Sequence, residues 1–498
     1  TAFNAALRAG TVNPFVDTIA NPLDLGTYVI QNSFSGDSTL YDIGLRASGP
    51  IGTWWAGRPT LTIGLGHRKD GRSDAEARTE FPLSPTSNLH QIFFGQWQTT
   101  DSLYVEALAP LISSRNAIPA AHSLELQLAG RSERYTASNG TAFQFLSPAS
   151  LVAFNPPQGV RTEKRYTSTN PTIGLKYQPV PDVTLRVSYA SAFLPPTASQ
   201  LLPNPTSVCG AAPCQRIVDP QNGQSYNVDA TAGGNPGLDP QTSRAWDFGI
   251  IWAPAEGPFA GLRVNLQHYR IRQPDYITSP SAQQVVSDPA FADRVLRNPT
   301  TGLVSIVDLK PINATEYRTS GYDLKLAYLK ATSMGSFRLQ AVGTRIDSDL
   351  RQYAIGSPLV EYVDFPNEGG VGKFKGNATL EWAHRSWVAS WTTTYYSGYT
   401  QSGAPGSPTA IRNGVSTFYT SAQGGFEIPS QTYHDLFASY SFGATGMFDK
   451  VLSGALVQVG VKNIFDTSPP FDAAFPYFYS PYGDPRLREY RIALKLSL

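Results

Sequence analysis

The stretch Tyr490-Arg491-Ile492-Ala493-Leu494-Lys495-Leu496-Ser497-Leu498 alternates apolar and polar side chains up to the last residue. Successive side chains of a strand point to opposite faces, so this segment reads as a strand with one apolar and one polar face. The same period recurs upstream. Ala455, Val457, Val459 and Val461 alternate with Leu456, Gln458, Gly460 and Lys462, and Val183, Leu185, Val187 and Tyr189 with Thr184, Arg186 and Ser188. In Trp246, Phe248, Ile250 and Trp252 the apolar set is heavily aromatic, and Tyr322, Leu324, Leu326 and Tyr328 interleave with Asp323, Lys325 and Ala327.

A soluble β-sandwich shows the same alternation, so composition and connections decide. Charged residues are 15% of the 498, below the roughly 25% of soluble domains, while aromatics reach 12%. The mean hydropathy of −0.22 is polar, and no run of about 18 apolar residues marks a membrane helix. Connections alternate between short ones (178–182, 254–258, 384–386, 443–446) and long ones (near 194–240, 275–310, 350–370, 402–428 and 466–484). Short turns on one rim and long loops on the other are the pattern of an outer-membrane barrel, periplasmic and extracellular respectively. Trp382 and Trp387 flank a short turn and Tyr395, Tyr396 and Tyr399 approach a long loop, which suits two interfacial girdles. The fold class is therefore all-β, a transmembrane antiparallel β-barrel in the bacterial outer membrane with lipid as its first partner.

The pattern predicts about fifteen strands, centred near residues 43, 63, 106, 127, 175, 187, 248, 265, 322, 340, 377, 392, 436, 458 and 492. The loop lengths put the C-terminus in the periplasm and make the first strand run inward from outside. Bacterial barrels of one chain have even strand numbers, so an odd count opening this way implies strands before Thr1. An open sheet in lipid leaves backbone groups unpaired at several kcal/mol each. A sixteenth strand in residues 26–34 would instead allow a closed, porin-sized barrel. The chain begins at Thr1 with no leader, so the export signal of an outer-membrane protein is expected to have been removed or never included.

Several segments resemble the TonB-dependent receptor family. Asn235-Pro-Gly-Leu-Asp-Pro240 with Gln241-Thr-Ser243 is similar to that family's Asn-Pro-x-Leu-x-Pro-Glu-x-Ser motif, with Gln241 in place of the usual Glu. Thr184-Leu-Arg-Val-Ser-Tyr-Ala-Ser-Ala-Phe193 followed by Pro195-Pro196 resembles the strand before that loop. Val461-Lys-Asn-Ile-Phe-Asp466 and Tyr479-Ser-Pro-Tyr-Gly-Asp-Pro-Arg486 resemble the family's closing segments, although Leu498 replaces the commoner terminal aromatic. The resemblance implies a 22-stranded barrel plugged by an N-terminal domain with a TonB box, of which this chain carries the last fifteen strands. Residues 1–38 would then be an extracellular loop segment and residues 39–498 the barrel. The plug and first strands would be a separate chain or outside the sequence, with TonB acting indirectly through the plug.

Six histidines show no metal-ligand spacing, and no Gly-x-Ser-x-Gly elbow, His-Glu-x-x-His or phosphate loop is present. No catalytic residue, metal, cofactor or nucleic-acid partner is expected; the net charge of +1 gives no field for nucleic acid. Cys209 and Cys214 close a short loop and read as a disulfide in an oxidising compartment. Arg46, Arg131, Arg186, Arg263, Asp247, Asp323 and Asp435 fall on the polar strand face and read as lumen charges that pair with one another and with the plug. Phe475, Tyr477, Phe478, Tyr479 and Tyr482 form a dense aromatic cluster in the last long loop, the candidate stacking surface for a ligand. The expected function is TonB-driven uptake of a bulky, scarce solute, ferric siderophore by default. A passive sixteen-stranded porin and a barrel scaffolding other surface proteins are the alternatives.

Overall fold

The computed structural model describes residues 2–23, 25–82, 88–93, 95–140, 142–146, 161–201, 206–207, 209, 213–352, 356–366, 369–401, 403–406, 422–443, 454–474 and 478–496. Fifteen strands pair in chain order into one antiparallel wall. They are β1 (Ser38–Pro50), β2 (Thr60–Arg72), β3 (Gln96–Ile112), β4 (Ser123–Gly140), β5 (Arg161–Val180), β6 (Val183–Leu194), β7 (Gln241–Trp252) and β8 (Leu262–Thr278). The wall continues with β9 (Ile312–Thr332), β10 (Gly335–Arg351), β11 (Phe374–His384), β12 (Trp387–Tyr396), β13 (Gln431–Ser441), β14 (Leu456–Lys462) and β15 (Glu489–Lys495). Each expected strand centre lies inside one of them. The final strand is described only to Lys495 within its pairing, and Ser497 and Leu498 lie outside the described residues.

Sequential antiparallel pairing puts alternate connections on opposite rims. One rim carries 51–59, 113–122, 181–182, 253–261, 333–334, 385–386 and 442–455; the other carries 73–95, 141–160, 195–240, 279–311, 352–373, 397–430 and 463–488. The expected turn at 443–446 lies mostly outside the described residues, and that connection spans 442–455. The two-residue turn at 333–334 needs special backbone. Gly335 opens β10 at φ +117°, where a Cβ would collide with the Ala383 carbonyl.

The register separates the faces. Leu45 pairs Leu65, and Leu185, Ile250, Leu266 and Leu324 pair in succession across β6 to β9; Leu339, Leu380, Trp391, Leu436, Val461 and Tyr490 do so across β10 to β15. This apolar face is uncovered, with Ile492 80% exposed. Covering a Leu or Ile stabilises by about 1.5–3 kcal/mol, so a continuous bare face is stable only with lipid against it. Near the short-turn rim, interfacial aromatics anchor the band: Trp252 packs on Phe259 at 5.8 Å and Trp387 on Tyr440 at 4.8 Å. Trp382 Nε1 donates to the Met334 carbonyl at 2.8 Å, satisfying the indole while its ring meets the membrane.

The wall is open. Among the described residues β1 pairs only with β2, and β15 only with β14. Residues 26–34 do not supply a sixteenth wall strand. Gly26–Tyr28 is a 3-10 turn, and Gln31–Ser35 pairs with Ala75–Glu80 in a four-stranded sheet on the long-loop rim. The reason is chain geometry, because only residues 36–37 separate Gln31–Ser35 from β1 and the segment is carried to the loop between β2 and β3.

Candidate functional site

Two regions carry the polar chemistry, the face opposite the lipid band and the loops above it. Direct cross-strand partners share a face, so the register locates each expected lumen charge. Arg46 pairs Gly64, which pairs Tyr104, which pairs Arg131. Lys176 pairs Arg186, Arg186 pairs Gly249, and Ser188 pairs Asp247. Asp323 pairs Gln267 and Thr344, Arg263 pairs Ala327, and Asp435 pairs Thr392. Arg46, Arg131, Arg186, Arg263, Asp247, Asp323 and Asp435 thus all lie on the face turned away from the apolar band.

They do not pair with one another. Arg131 meets Glu133 at 2.8 Å on its own strand. Arg186 lies flat over Gly249, whose missing side chain leaves the room, and donates to Asn265 Oδ1 at 3.3 Å. Asp247 accepts from the Gln267 amide, Asp323 from the Thr344 hydroxyl at 2.6 Å, and Asp435 from the Asn463 backbone N–H at 2.7 Å. Amides and hydroxyls satisfy the carboxylates because the register places these, and not arginines, beside them. Arg46 and Arg263 are exposed and have no ion-pair partner among the described residues.

Above the wall, loops 195–240 and 279–311 build one module. Thr206–Ser207, Gln215–Val218, Ser225–Ala232, Val295–Arg297 and Val304–Asp308 form a five-stranded sheet over an apolar core that includes Ile217, Val228, Val285, Phe291 and Val307. Cys209 and Cys214 are disulfide-bonded, with Cα atoms 5.0 Å apart, at the entry to the Gln215–Val218 strand. Asp219 is fully buried where the two loops meet. Arg297 grips it with two bonds, Nη1 to Oδ2 at 2.8 Å and Nη2 to Oδ1 at 3.0 Å, and the Tyr226 hydroxyl donates at 2.7 Å. The Arg297 guanidinium holds the Asp219 carboxyl well below the usual carboxylate range.

Loops 352–373, 397–430 and 463–488 meet in a second cluster. Buried Asp472 accepts from the Tyr399 hydroxyl at 2.5 Å and from Gln401 Nε2 at 3.0 Å. Burial, reinforced by that bond to Asp472, pushes the Tyr399 phenol far above its ordinary value. The expected aromatic surface divides here. Phe475 and Tyr477 lie outside the described residues. Tyr482 turns inward, stacked on Tyr396 at 5.4 Å and edge-on to Tyr399 at 5.7 Å, so it packs the loops. Tyr479 is half-buried and pairs with Phe471. Of the three described, Phe478 alone is open, 63% exposed and stacked on the 49% exposed Phe471 at 6.3 Å. Its φ of +61° is costly for a bulky side chain and turns the ring outward at the rim.

Sequence reasoning missed Asp219, Arg297, Tyr399 and Asp472 as loop organisers. Asp219 and Arg297 are 78 residues apart, and no local pattern joins them. Among the described residues no group of three His, Cys, Asp or Glu could hold a metal ion, and no helix is long and apolar enough to cross a membrane.

A family model described as TonB dependent receptor-like, beta-barrel, matches residues 3–464. No curated protein matches the chain in sequence. Among solved structures the chain is similar to the pyoverdine outer membrane receptor FpvA from Pseudomonas aeruginosa PAO1 bound to pyoverdine, at 12% identity over 94% of this chain and 54% of that one, TM-score 0.56. It is also similar to an FpvAI–pyocin S2 complex, at 13% identity over 93% and 50%, TM-score 0.54. The siderophore receptor PirA from Acinetobacter baumannii matches at 13% identity over 93% and 63%, TM-score 0.45. The chain spans about half to somewhat under two-thirds of these structures.

Proposed function

The chain belongs to the TonB-dependent receptor-like β-barrel family, an outer-membrane fold, and from that premise we propose that it forms the larger part of the wall of an energised importer for a bulky, scarce solute. The observation that carries this reading is the open fifteen-stranded wall with its charged face turned from lipid. The edges of β1 and β15, which have no second partner strand among the described residues, cost several kcal/mol per unpaired backbone group in a bilayer. About seven further strands, with a plug against Arg46 and Arg263, complete the barrel in this proposal. TonB acts through the plug, and the role is transport and not catalysis. Residues 1–38 are read as an extracellular segment, consistent with the pairing of Gln31–Ser35 at the long-loop rim.

Ferric siderophore is the proposed substrate class. Its support is the pyoverdine-bound structure among those of similar fold and the open Phe471–Phe478 pair, a stacking surface for an aromatic or chelating ligand. The test is uptake of labelled ferric siderophores, glycans and cobalamins by cells carrying the protein, with and without TonB. Uptake of a ferric siderophore that vanishes without TonB is expected. Uptake of any solute at the same rate without TonB would sink the energised reading.

A further inference from the structure

The lipid-facing side of β7, β8 and β9 changes character with height. Ile250, Leu266 and Leu324 form one apolar cross-strand row. Two residues nearer the long-loop rim come Phe248, His268 and Tyr322. Tyr189, Trp246, Phe248, His268 and Tyr322 join in contact, with Trp246 stacked on Phe248 at 6.1 Å and His268 tilted against Tyr322 at 4.7 Å. Directly above this belt the side chains become arginine. Arg270 pairs Trp246, and Arg244, Arg272 and Arg318 stand opposite one another across the three strands.

Like charges placed directly opposite destabilise a sheet, so this row requires an anion. Glu316 supplies part of it, bonding Arg318 through Nε at 2.6 Å and Nη2 at 2.9 Å and also bonding Arg272. Asp347 is taken by Arg345 on β10 at 2.9 Å. Arg244 and Arg270 are exposed and have no ion-pair partner among the described residues. Four arginines therefore face one carboxylate.

Their height identifies the counter-charge. Tyr328 donates to the Pro258 carbonyl in a short turn and marks the opposite interface. Arg318 lies ten residues along β9 from Tyr328, and Arg244 eight residues along β7 from Trp252. A tilted strand needs about nine to eleven residues to cross the bilayer. The row therefore sits at headgroup level in the leaflet below the long loops. From this we infer that Arg244, Arg270, Arg272 and Arg318 hold the phosphate of an anionic lipid headgroup, whose acyl chains lie on the Ile250, Leu266 and Leu324 face. Guanidinium groups bind phosphate oxygens in bidentate pairs, and the aromatic belt beneath fits the boundary between headgroup and chain.

The test titrates the full-length protein carrying this chain, in neutral detergent micelles, with phosphatidylglycerol and with phosphatidylcholine, reading bound lipid by native mass spectrometry. Preferential retention of phosphatidylglycerol is expected. Arg244→Gln with Arg270→Gln should weaken that preference on the order of thirtyfold, about fivefold per arginine, while Arg244→Lys with Arg270→Lys should keep most of it. SDS-resistant migration of each variant checks that the barrel is intact, and single Arg270→Gln serves if the double variant fails to fold. Equal affinity of the unmodified protein for the two lipids overturns the inference. So does an unchanged preference in the folded glutamine variants, or displacement of the lipid by an equal concentration of inorganic phosphate.

Discussion

Asp219 shows how a buried charge is made tolerable in a loop. Its carboxylate would cost several kcal/mol to bury alone, and the two-bond grip of Arg297 with the Tyr226 hydroxyl offsets that. Removing one partner leaves the other unpaired, so Arg297→Leu should destabilise the loop module by about 3 kcal/mol. Limited proteolysis within 206–308, with the wall left intact, would register it. Because the folded carboxyl is held below the ordinary value of 3.8, its contribution is fully present above about pH 4 and fades as pH falls toward the folded value. The opening free energy of the module, from hydrogen exchange corrected for the intrinsic rate at each pH, should therefore be flat from pH 7 to pH 5 and fall only in stronger acid, and Asp219→Asn should remove that acid dependence. Phe478 is the contrasting case, an open aromatic in the left-handed region that packs no core. Phe478→Ala should weaken ligand affinity about tenfold, roughly 1.4 kcal/mol, with little change in stability; equilibrium binding of the transported chelate measures it. Unchanged affinity would remove Phe478 from the site.

The strands were the most legible part of the chain. Period-two alternation survives in β15, β7 and β9 because one face meets lipid and the other water or protein, and no residue can serve both. The same asymmetry predicts opposite outcomes for neighbours on β9. Leu324→Arg puts a charge on the lipid face and should cost about 2–4 kcal/mol. Lys325→Gln, one residue on and facing the other way, should stay within about 0.5 kcal/mol. Urea unfolding of the bilayer-inserted protein distinguishes them. Loops obeyed no such period. The aromatic cluster at 475–482 was visible as composition, yet the inward turn of Tyr482 onto Tyr396 depends on contacts between loops far apart in sequence. The disulfide was legible because its cysteines are only five residues apart.

An open wall has a consequence for the chain as a body. With β1 and β15 each paired on one side among the described residues, the chain by itself should form no stable ion-conducting pore in planar bilayers. Conductance from the purified chain alone would revive the sixteen-stranded reading, which the pairing of Gln31–Ser35 outside the wall does not support. The residues expected to satisfy one another across the lumen are likewise each tied to a local amide, hydroxyl or same-strand partner, or left exposed. Opposite charges share a face without sharing a position in the register.

The sequence by itself located the fifteen wall strands while leaving a sixteenth open, and it determined which residues face lipid, which rim carries the long loops, and that Arg46, Arg131, Arg186, Arg263, Asp247, Asp323 and Asp435 share the other face. All of these follow from local periodicity and turn spacing, which a strand expresses wherever it lies. The tertiary structure decided which side chains meet across strands and between loops. It set the Asp219–Arg297 grip, the burial of Tyr399 on Asp472 and the arginine row above the aromatic belt. Those depend on register and on contacts between segments tens of residues apart, and a slip of one residue in the wall would have turned the arginine row to the opposite face.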